Sequence, residues 1–309
     1  MQRAFILAIG FMLLLNPFYS RAQDSTSADA FFNSGMLAFK KLNFSEAIID
    51  FTEVIKNRKT TSDPYYYRGY AEMMSNQYPQ AVGDFDTALS LNPKDGPSMY
   101  ERGMTYNRWG KYKLAIADFN KYEIMSSGNS YGYEGLGFAY LQEKEYDTAL
   151  YFLNKGMKTD SSNVEMYFYR GIANYKLKNY RQCIPDFKLF LGINPNHSET
   201  LSYMMDAEYI LKDDSSVLFY ADRYLVMNKE DSKAYFLRGQ SYFRMMRYGD
   251  ASDNFTEVIN RKADLRDAFY YRGVCDEKLG FNDKACGDFK RAAILGNTKA
   301  ATLVKNYCQ

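Results

Sequence analysis

The residue types that most often carry out chemistry are scarce in this chain, and their spacing does not assemble a reaction centre. His197, the only histidine, stands in the segment NPNHSE, which we interpret as a solvated turn. No pair of cysteines has metal-binding spacing with a partner pair, and the glycines do not cluster into a phosphate-binding loop. The adjacent carboxylates Asp213 and Asp214 fall in a polar stretch that favours a solvated role. The sequence therefore predicts a protein that is not an enzyme and has no metal or cofactor.

One combination of charged residues does recur. Arginine precedes glycine at five places, and in four of them aspartate stands sixteen positions after the arginine. A planar guanidinium can bond a carboxylate at two points, so this spacing favours structural ion pairs. The alternative is that these arginines bind an anionic partner. The predicted pairs are Arg68–Asp84, Arg102–Asp118, Arg170–Asp186 and Arg272–Asp288, and the fifth arginine, Arg238, has Asn254 at that distance.

The composition is that of a folded protein rather than a disordered one. The 309 residues are 46% hydrophobic and 25% charged, and 29 tyrosines and 22 phenylalanines supply ample material for a core. Two of the 39 basic residues lie within residues 1–22, which leaves 37 against 37 acidic residues in the remainder. There is no basic block and no nucleic-acid-binding motif, so we expect no nucleic-acid partner.

The N-terminal residues differ from the rest of the chain. Arg3 precedes an apolar run that is uninterrupted from position 4 to position 15, and Ser20 and Ala22 supply small residues two apart. This pattern is typical of a secretory signal peptide cut after Ala22, although an uncleaved anchor is the alternative. No later stretch is long and apolar enough to span a bilayer. We therefore predict an exported protein, periplasmic or secreted, with no membrane span after residue 22.

Glycine recurs at every thirty-fourth position with a single exception, which indicates a stacked repeat array. Alanine tends to stand twelve positions after the glycine and phenylalanine sixteen positions after it, as in Ala81 and Phe85. The sixth copy is the most divergent and carries Met205, Val217 and Ala221 at these positions, so we expect a local irregularity there. The glycines are Gly35, Gly69, Gly103, Gly137, Gly171, Gly239 and Gly273.

With these landmarks the chain resembles the tetratricopeptide repeat (TPR) family, although no copy has tryptophan at the first landmark. The resemblance implies an all-α, right-handed superhelical solenoid of about eight helix-turn-helix repeats. We assign 1–22 to the signal peptide, 23–27 to a short N-terminal segment and 300–309 to a capping helix that covers the last repeat. The eight repeats would be 28–61, 62–95, 96–129, 130–163, 164–197, 198–231, 232–265 and 266–299.

The resemblance also implies a concave groove lined by the first helix of each repeat. The groove positions, three before and one after the glycine, are rich in rings and methionines, which suit an extended peptide or a partner helix. The alternative is that these rings are packing. The implied groove residues are Phe32, Met36, Tyr66, Tyr70, Tyr100, Met104, Phe138, Phe168, Ile172, Phe236 and Tyr270. A basic rim would be formed by Lys40, Arg108, Lys176, Arg244 and Lys278.

Four cysteines remain to be placed, and export would put them in an oxidising compartment. Cys183 stands at a packing-alanine position, so we expect a small core residue. The last residues resemble the C-terminal ending of many exported bacterial repeat proteins, and that resemblance implies a disulfide between Cys286 and Cys308 that pins the cap. Cys275 is a competing partner.

The function implied by the resemblance is protein binding. We predict a noncatalytic interaction scaffold or adaptor of the bacterial cell envelope that binds a partner peptide or helix in the groove. The alternatives are a periplasmic chaperone or assembly factor for many clients, and a regulatory subunit of an envelope enzyme. Neither the partner nor the oligomeric state follows from the sequence.

Overall fold

The structure of the chain is a computed structural model that describes residues 17–57, 60–126, 130–263 and 265–308. Every regular element in those ranges is an α-helix, which confirms the predicted all-α fold. The helices are α1 Pro17–Lys40, α2 Phe44–Asn57, α3 Asp63–Met74, α4 Tyr78–Leu91, α5 Gly96–Arg108, α6 Tyr112–Met125, α7 Ser130–Gln142, α8 Tyr146–Thr159, α9 Val164–Lys176, α10 Tyr180–Ile193, α11 Ser198–Leu211, α12 Asp214–Met227, α13 Ser232–Arg244, α14 Tyr248–Asn260, α15 Leu265–Lys278, α16 Asn282–Ile294 and α17 Thr298–Tyr307.

The helices follow the predicted repeats as pairs, in which an odd-numbered first helix precedes an even-numbered second helix. The bounds differ at α15, which begins at Leu265 in the seventh predicted range. The N-terminal end differs from the expectation, because α1 begins at Pro17 and runs through both the predicted cleavage position and the segment 23–27. The apolar run 4–15 lies outside the described residues. The predicted capping helix is α17, which begins two residues earlier than expected.

The chain divides into two compact units. The first unit comprises residues up to 145 together with 158–160, and the second comprises residues 146–157 and 161–309. The division falls inside the predicted fourth repeat. The first unit contains α1 to α7, the second contains most of α8 and α9 to α17, and in each unit the core lies between neighbouring helices.

The turn inside each pair depends on one residue in the left-handed backbone region. This residue always stands seven positions after the glycine landmark, and its φ lies between 59° and 84°. Glycine is favoured there because it has no Cβ, yet only Gly110 and Gly280 use it. The other six positions are Leu42, Asn76, Lys144, Lys178, Lys212 and Met246.

The two helices of a pair pack closely where a glycine on the first helix meets a phenylalanine on the second. A Cβ placed on Gly171 would lie 2.5 Å from the Phe187 ring, and one placed on Gly103 would lie 3.0 Å from Phe119. The ring therefore occupies the space that a larger side chain would need. The divergent sixth copy exchanges the sizes: Met205 is 1% exposed and Ala221 is fully buried. Both helices of this pair have 14 residues, so the exchange does not interrupt either helix.

His197 differs from its predicted role as a solvated turn residue. Its side chain caps α11, where Nδ1 accepts a hydrogen bond from the Thr200 backbone N–H at 3.3 Å. The imidazole also meets the rings of Phe168 and Phe190 edge-on, with centroids 5.0 and 5.1 Å away. The position is one at which other pairs use aspartate or asparagine, such as Asp231, and the cap satisfies a backbone donor at the helix start.

Candidate partner-binding faces

The structure forms all four of the arginine–aspartate pairs expected from the sequence. In each one the guanidinium donates from Nε and Nη2 to the two oxygens of the carboxylate, at 2.6–2.9 Å. The aspartate side chains are 3–8% exposed and the arginines 17–26%. Arg238 donates from Nε to Asn254 Oδ1 at 2.8 Å instead. These contacts support the structural role rather than the capture of an anionic partner.

Each of these five arginines also makes a further bond that sequence reasoning missed. Nη1 donates to a residue sixteen positions before the arginine, on the second helix of the preceding pair. The signal was a polar residue directly after the packing position, as in Thr52 after Phe51. Every guanidinium therefore ties two consecutive pairs together. The acceptors are Thr52, Asp86, Asn154, Asp222 and Thr256.

Two of the helix pairs that lack this arginine differ in what stands at the positions of the arginine and the aspartate. In the sixth pair Met204 stands at the arginine position and Tyr220 at the aspartate position, and both are buried. In the first pair Ser34 stands opposite Asp50, which is 9% exposed and whose Oδ2 has no hydrogen-bond partner among the described residues. The sixth pair thus has an apolar substitute, whereas the first keeps a buried carboxylate without its guanidinium.

The rings expected to line a groove are half-buried, because each packs on the second helix of its own pair. They stand three positions before the glycine landmark, and their centroids lie 4.7–6.5 Å from a buried phenylalanine. Part of each ring therefore serves the fold and part remains accessible. The contacts are Phe32–Phe51, Tyr66–Phe85, Tyr100–Phe119, Phe168–Phe190, Phe236–Phe255 and Tyr270–Phe289.

A second row of tyrosines, two positions before the landmark, packs between pairs. Tyr67 stacks on Phe51 of the preceding pair with centroids 5.6 Å apart and planes 19° apart. The same arrangement joins Tyr203 to Phe187 at 5.6 Å and Tyr271 to Phe255 at 5.4 Å. Sequence reasoning missed these contacts, although tyrosine directly precedes three of the five arginines, Arg68, Arg170 and Arg272.

We call the surface formed by the groove positions of the odd-numbered helices the A face of each unit. In the first unit it comprises Phe32, Met36, Tyr66, Tyr70, Tyr100, Met104 and Phe138, and all seven are half-buried. In the second unit it comprises Phe168, Ile172, Phe236 and Tyr270, of which Ile172 is buried and the others half-buried.

On the A face of the first unit, Tyr66, Tyr70 and Met104 pack against a core formed by Met73, Ala81 and Phe85. Burial raises the pKa of Tyr66 and Tyr70, and the carboxylate of Glu101 raises both further. Glu101 was not among the predicted site residues.

The A face of the second unit is more polar than the sequence suggested. The Tyr175 hydroxyl donates to Asp206 Oδ2 at 3.1 Å, and the Tyr209 hydroxyl donates to Gln240 Oε1 at 2.5 Å. Both bonds join the first helices of consecutive pairs. Lys233 adds an ion pair to Asp206 at 2.5 Å. These bonds interrupt the row of apolar groove positions in the sixth and seventh pairs.

A cavity of about 320 Å³ opens on the A face of the second unit. It lies between α13, α15 and the start of α17. Two predicted groove residues, Phe236 and Tyr270, form its apolar part. The remaining lining is mostly polar or charged and includes Gln240, Asn297, Thr298, Lys299 and the ion pair of Arg266 with Asp267.

The predicted basic rim needs correction at one residue. Lys40, Arg108, Lys176 and Lys278 are exposed, but Arg244 is half-buried. Its Nε donates to Asp214 Oδ1 at 2.7 Å, and its guanidinium lies 4.3 Å from the centre of the Tyr209 ring. Asp214 is therefore an ion-pair partner rather than a solvated carboxylate, and Arg244 serves contacts within its unit.

The cysteine arrangement in the structure joins Cys286 to Cys308, with Cα atoms 5.4 Å apart. This bond links α16 to the end of α17 and so holds the last helix on its neighbour. Cys183 and the competing Cys275 are buried and unpaired among the described residues. Burial raises the pKa of both thiols to about 12, so neither is a reactive thiolate.

The described residues contain neither a metal site nor a membrane-spanning helix. No group of three or more histidine, cysteine, aspartate or glutamate side chains is placed to hold a metal ion within the described part of the chain. Across the same residues, no helix has the length and apolar character that crossing a membrane requires.

Comparison with known proteins agrees with this fold. Residues 66–130 match a family model described as tetratricopeptide repeat. No curated protein matches the chain in sequence.

Several solved structures share the fold. PilF of Pseudomonas aeruginosa is similar with a TM-score of 0.58 at 14% identity, over 66% of this chain and 93% of PilF. MamA from Desulfovibrio magneticus RS-1 gives a TM-score of 0.51 at 20% identity, over 55% of this chain and 97% of MamA. YrrB, described as a TPR protein with an unusual peptide-binding site, gives 0.50 at 19% identity, over 60% and 95%. At these identities the likeness establishes the fold alone.

Proposed function

This chain is a tetratricopeptide repeat protein, and from that premise we propose that it is a noncatalytic interaction protein that holds a segment of a partner protein on its A faces. The observation that carries the proposal is the cavity on the second unit, where Phe236 and Tyr270 supply apolar surface beside Gln240, Arg266 and Asn297. An apolar surface with a few convergent polar groups suits a bound peptide or helix.

The half-buried rings favour the same function. Their buried edges hold them in place against the second helices, as Phe236 is held by Phe255 at 5.7 Å. A ring fixed in this way loses little conformational entropy when a partner covers its accessible part. The rings thus serve packing and binding together, and the two interpretations of the aromatic row do not exclude each other.

The cavity can be tested by filling it rather than by removing its rings, because truncated rings would also weaken the helix pair. Thr298 is exposed and lines the cavity, so Thr298→Trp should obstruct it without removing a buried contact. Thr302 is exposed on the same helix but does not line the cavity, so Thr302→Trp is the matched control. Circular dichroism would verify that both variants fold.

The measurement is affinity capture from an extract of the cells that make the protein, with captured proteins identified by mass spectrometry. We expect one or a few proteins that the parent and Thr302→Trp retain and that Thr298→Trp loses. Retention of the same partners by both variants would contradict binding at this cavity. Many weakly held clients in place of a defined set would favour the chaperone alternative.

We further propose that the protein works outside the cytoplasm, in the periplasm or as a secreted protein. The apolar run 4–15 and the small residues before position 23 support export, and the Cys286–Cys308 bond suits an oxidising compartment. Mass spectrometry of the protein from its own cells should find a chain that begins at Gln23 and has two free thiols. An intact N-terminus with four free thiols would contradict this location.

A further inference from the structure

The turn between the two helices of the third pair combines exposed cations with the only tryptophan of the chain. Residues 108–114 read RWGKYKL. Trp109 is 38% exposed and Leu114 is 49% exposed. No aspartate or glutamate occurs between positions 102 and 117, so the turn is both basic and apolar. Its exposed cations are Arg108, Lys111 and Lys113.

These three cations are not neutralised by neighbours within the protein. Arg108, Lys111 and Lys113 form no salt bridge and no side-chain hydrogen bond with any described residue. The ammonium of Lys111 instead lies over the Trp109 ring, 5.5 Å from the ring centre. Such a cation–π contact leaves the charge accessible to an outside anion.

The turn belongs to one edge of the first unit, which we call the turn edge. The first helices of consecutive pairs pack side by side, since Phe39 of α1 meets Tyr70 of α3 with ring centroids 5.1 Å apart. Met74, the last residue of α3, packs on the same core as Met104 of α5. These helices therefore end at a common edge. It is formed by the turns 41–43, 75–77 and 109–111.

The first turn of this edge repeats the combination of cations and apolar surface. Lys40 and Lys41 are exposed beside Leu42, which is 72% exposed. Two residues of the predicted basic rim, Lys40 and Arg108, thus lie on the turn edge. The middle turn, 75–77, carries no charge.

Carboxylates are few on the turn edge. Among residues within three positions of these turns, the exposed carboxylate is Glu46, which accepts a hydrogen bond from Asn43 Nδ2 at 2.7 Å. The turn of the fourth pair marks the limit of the basic surface, because Glu143 and Glu145 flank Lys144 there. The exposed cations are Lys40, Lys41, Arg108, Lys111 and Lys113.

We propose that the turn edge docks on the surface of an anionic lipid bilayer, a role beyond the binding of a partner on the A faces. Trp109 and Leu114 would lie among the lipid headgroups, where tryptophan is favoured because its ring is apolar and its N–H is polar. The lysine and arginine heads would meet the lipid phosphates while their stems lie on apolar surface. Cations that are spread over separate turns suit a surface of many anionic headgroups better than one phosphate ion.

The single tryptophan makes the proposal directly testable, because all indole fluorescence of the full chain comes from Trp109. The chain is mixed with vesicles of phosphatidylcholine, alone or in equal parts with phosphatidylglycerol, and quenching by brominated lipid tails is recorded. We expect a blue shift and quenching with the anionic vesicles, both of which high salt should reverse. Unchanged emission with anionic vesicles, or an equal response to neutral ones, would overturn the proposal.

Charge variants test whether the cations of the turn are responsible. Lys111→Gln with Lys113→Gln should weaken binding to anionic vesicles about 25-fold, at about fivefold for each cation removed. Lys94→Gln with Lys121→Gln is the matched control, since both lysines are exposed in the same unit but lie away from the turn edge. Equal losses for the two double variants would show dependence on net charge alone and would contradict the assignment. Circular dichroism verifies that each variant is folded.

A relocated tryptophan distinguishes the turn edge from the apolar run 4–15, which every variant retains and which could bind vesicles by itself. Trp109→Phe with Ile124→Trp moves the indole to the other end of α6, where Ile124 is 83% exposed. This variant should sediment with anionic vesicles as the parent does, without a blue shift. A blue shift from the relocated indole, or a parent that sediments while its own emission is unchanged, would show that another part of the chain meets the lipid.

Discussion

Arg170 donates from Nη1 to Asn154 Oδ1 at 2.8 Å, and these two residues belong to consecutive helix pairs. The other nitrogens of the same guanidinium hold Asp186 within its own pair. One side chain therefore fixes the geometry inside a pair and the stacking of two pairs. Because the Nη1 bond recurs at five arginines, it supplies regular cross-links between consecutive pairs.

The first prediction concerns the contribution of the Arg170–Asp186 ion pair to the free energy of unfolding. Arg170→Met should lower the free energy of unfolding by about 2–4 kcal/mol, because it leaves the buried Asp186 carboxylate unpaired. The double variant Arg170→Met, Asp186→Tyr copies the apolar solution of Met204 and Tyr220 and should recover most of the loss. Urea unfolding of the parent, both single variants and the double variant measures the coupling.

An ion pair at the surface provides the control for the double-mutant cycle on Arg170 and Asp186. Arg247 and Asp250 form an ion pair in which both side chains are about half exposed. Arg247→Met should cost less than about 1 kcal/mol, because water and salt screen such pairs. Additive losses in the Arg170 and Asp186 cycle would show that the buried pair contributes no coupling.

The second prediction compares two glycines of neighbouring helices. Gly171→Ala should destabilise the fold by about 1–3 kcal/mol, because its Cβ would lie 2.5 Å from the Phe187 ring. Gly192→Ala, on α10, has nothing within 4 Å of its Cβ and should stabilise by about 0.5–1 kcal/mol through helix propensity. Thermal unfolding should shift in opposite directions. A shift in the same direction for both variants would contradict the role of the close approach.

The third prediction is a pH dependence at Glu72, which is 7% exposed and whose Oε2 has no partner among the described residues. Burial and then the neighbouring Asp84 carboxylate raise its pKa from 4.5 to about 7, while Arg68 lowers it. Because the folded-state pKa is raised, the protonated group stabilises the fold fully below pH 4.5. That contribution is lost as the pH rises through about 7.

Glu72→Gln should remove this dependence, since the amide is neutral at every pH. We expect the variant to exceed the parent at about pH 8 by about 1–3 kcal/mol and to match it near pH 4.5. The readout is the difference between variant and parent in urea unfolding, because other groups titrate equally in both. Glu165→Gln is the exposed control and should follow the parent. A difference that does not change with pH would refute the assignment to Glu72.

The fourth prediction supplies the first pair with its missing guanidinium. Ser34 is exposed and stands at the arginine position, opposite the buried Asp50. Ser34→Arg should raise stability by about 1–3 kcal/mol, as a charge-assisted pair to a carboxylate with an unsatisfied oxygen. Ser34→Met tests whether packing alone is responsible. An equal gain in Tm from methionine would rule out ion pairing as the cause.

Much of the fold follows from the sequence because it depends on local periodicity. The regular spacing of glycine, alanine and phenylalanine predicted the helix pairs, and the fixed interval from arginine to aspartate predicted partners such as Arg68 and Asp84. Both relations lie within one pair, where helix geometry alone sets which residues meet. The implied pairing of Cys286 with Cys308 also lies between adjacent helices, and the structure forms it.

Tertiary structure decided which residues of different pairs meet, since this depends on how the pairs stack. The bond from Arg170 to Asn154 and the stack of Tyr67 on Phe51 both arise there. Burial decided the rest: it made the aromatic row half-accessible and gave Glu72 a pKa of about 7. The identity of a residue specifies its charge and size, but its exposure to solvent, and therefore its pKa, depends on the residues that pack around it.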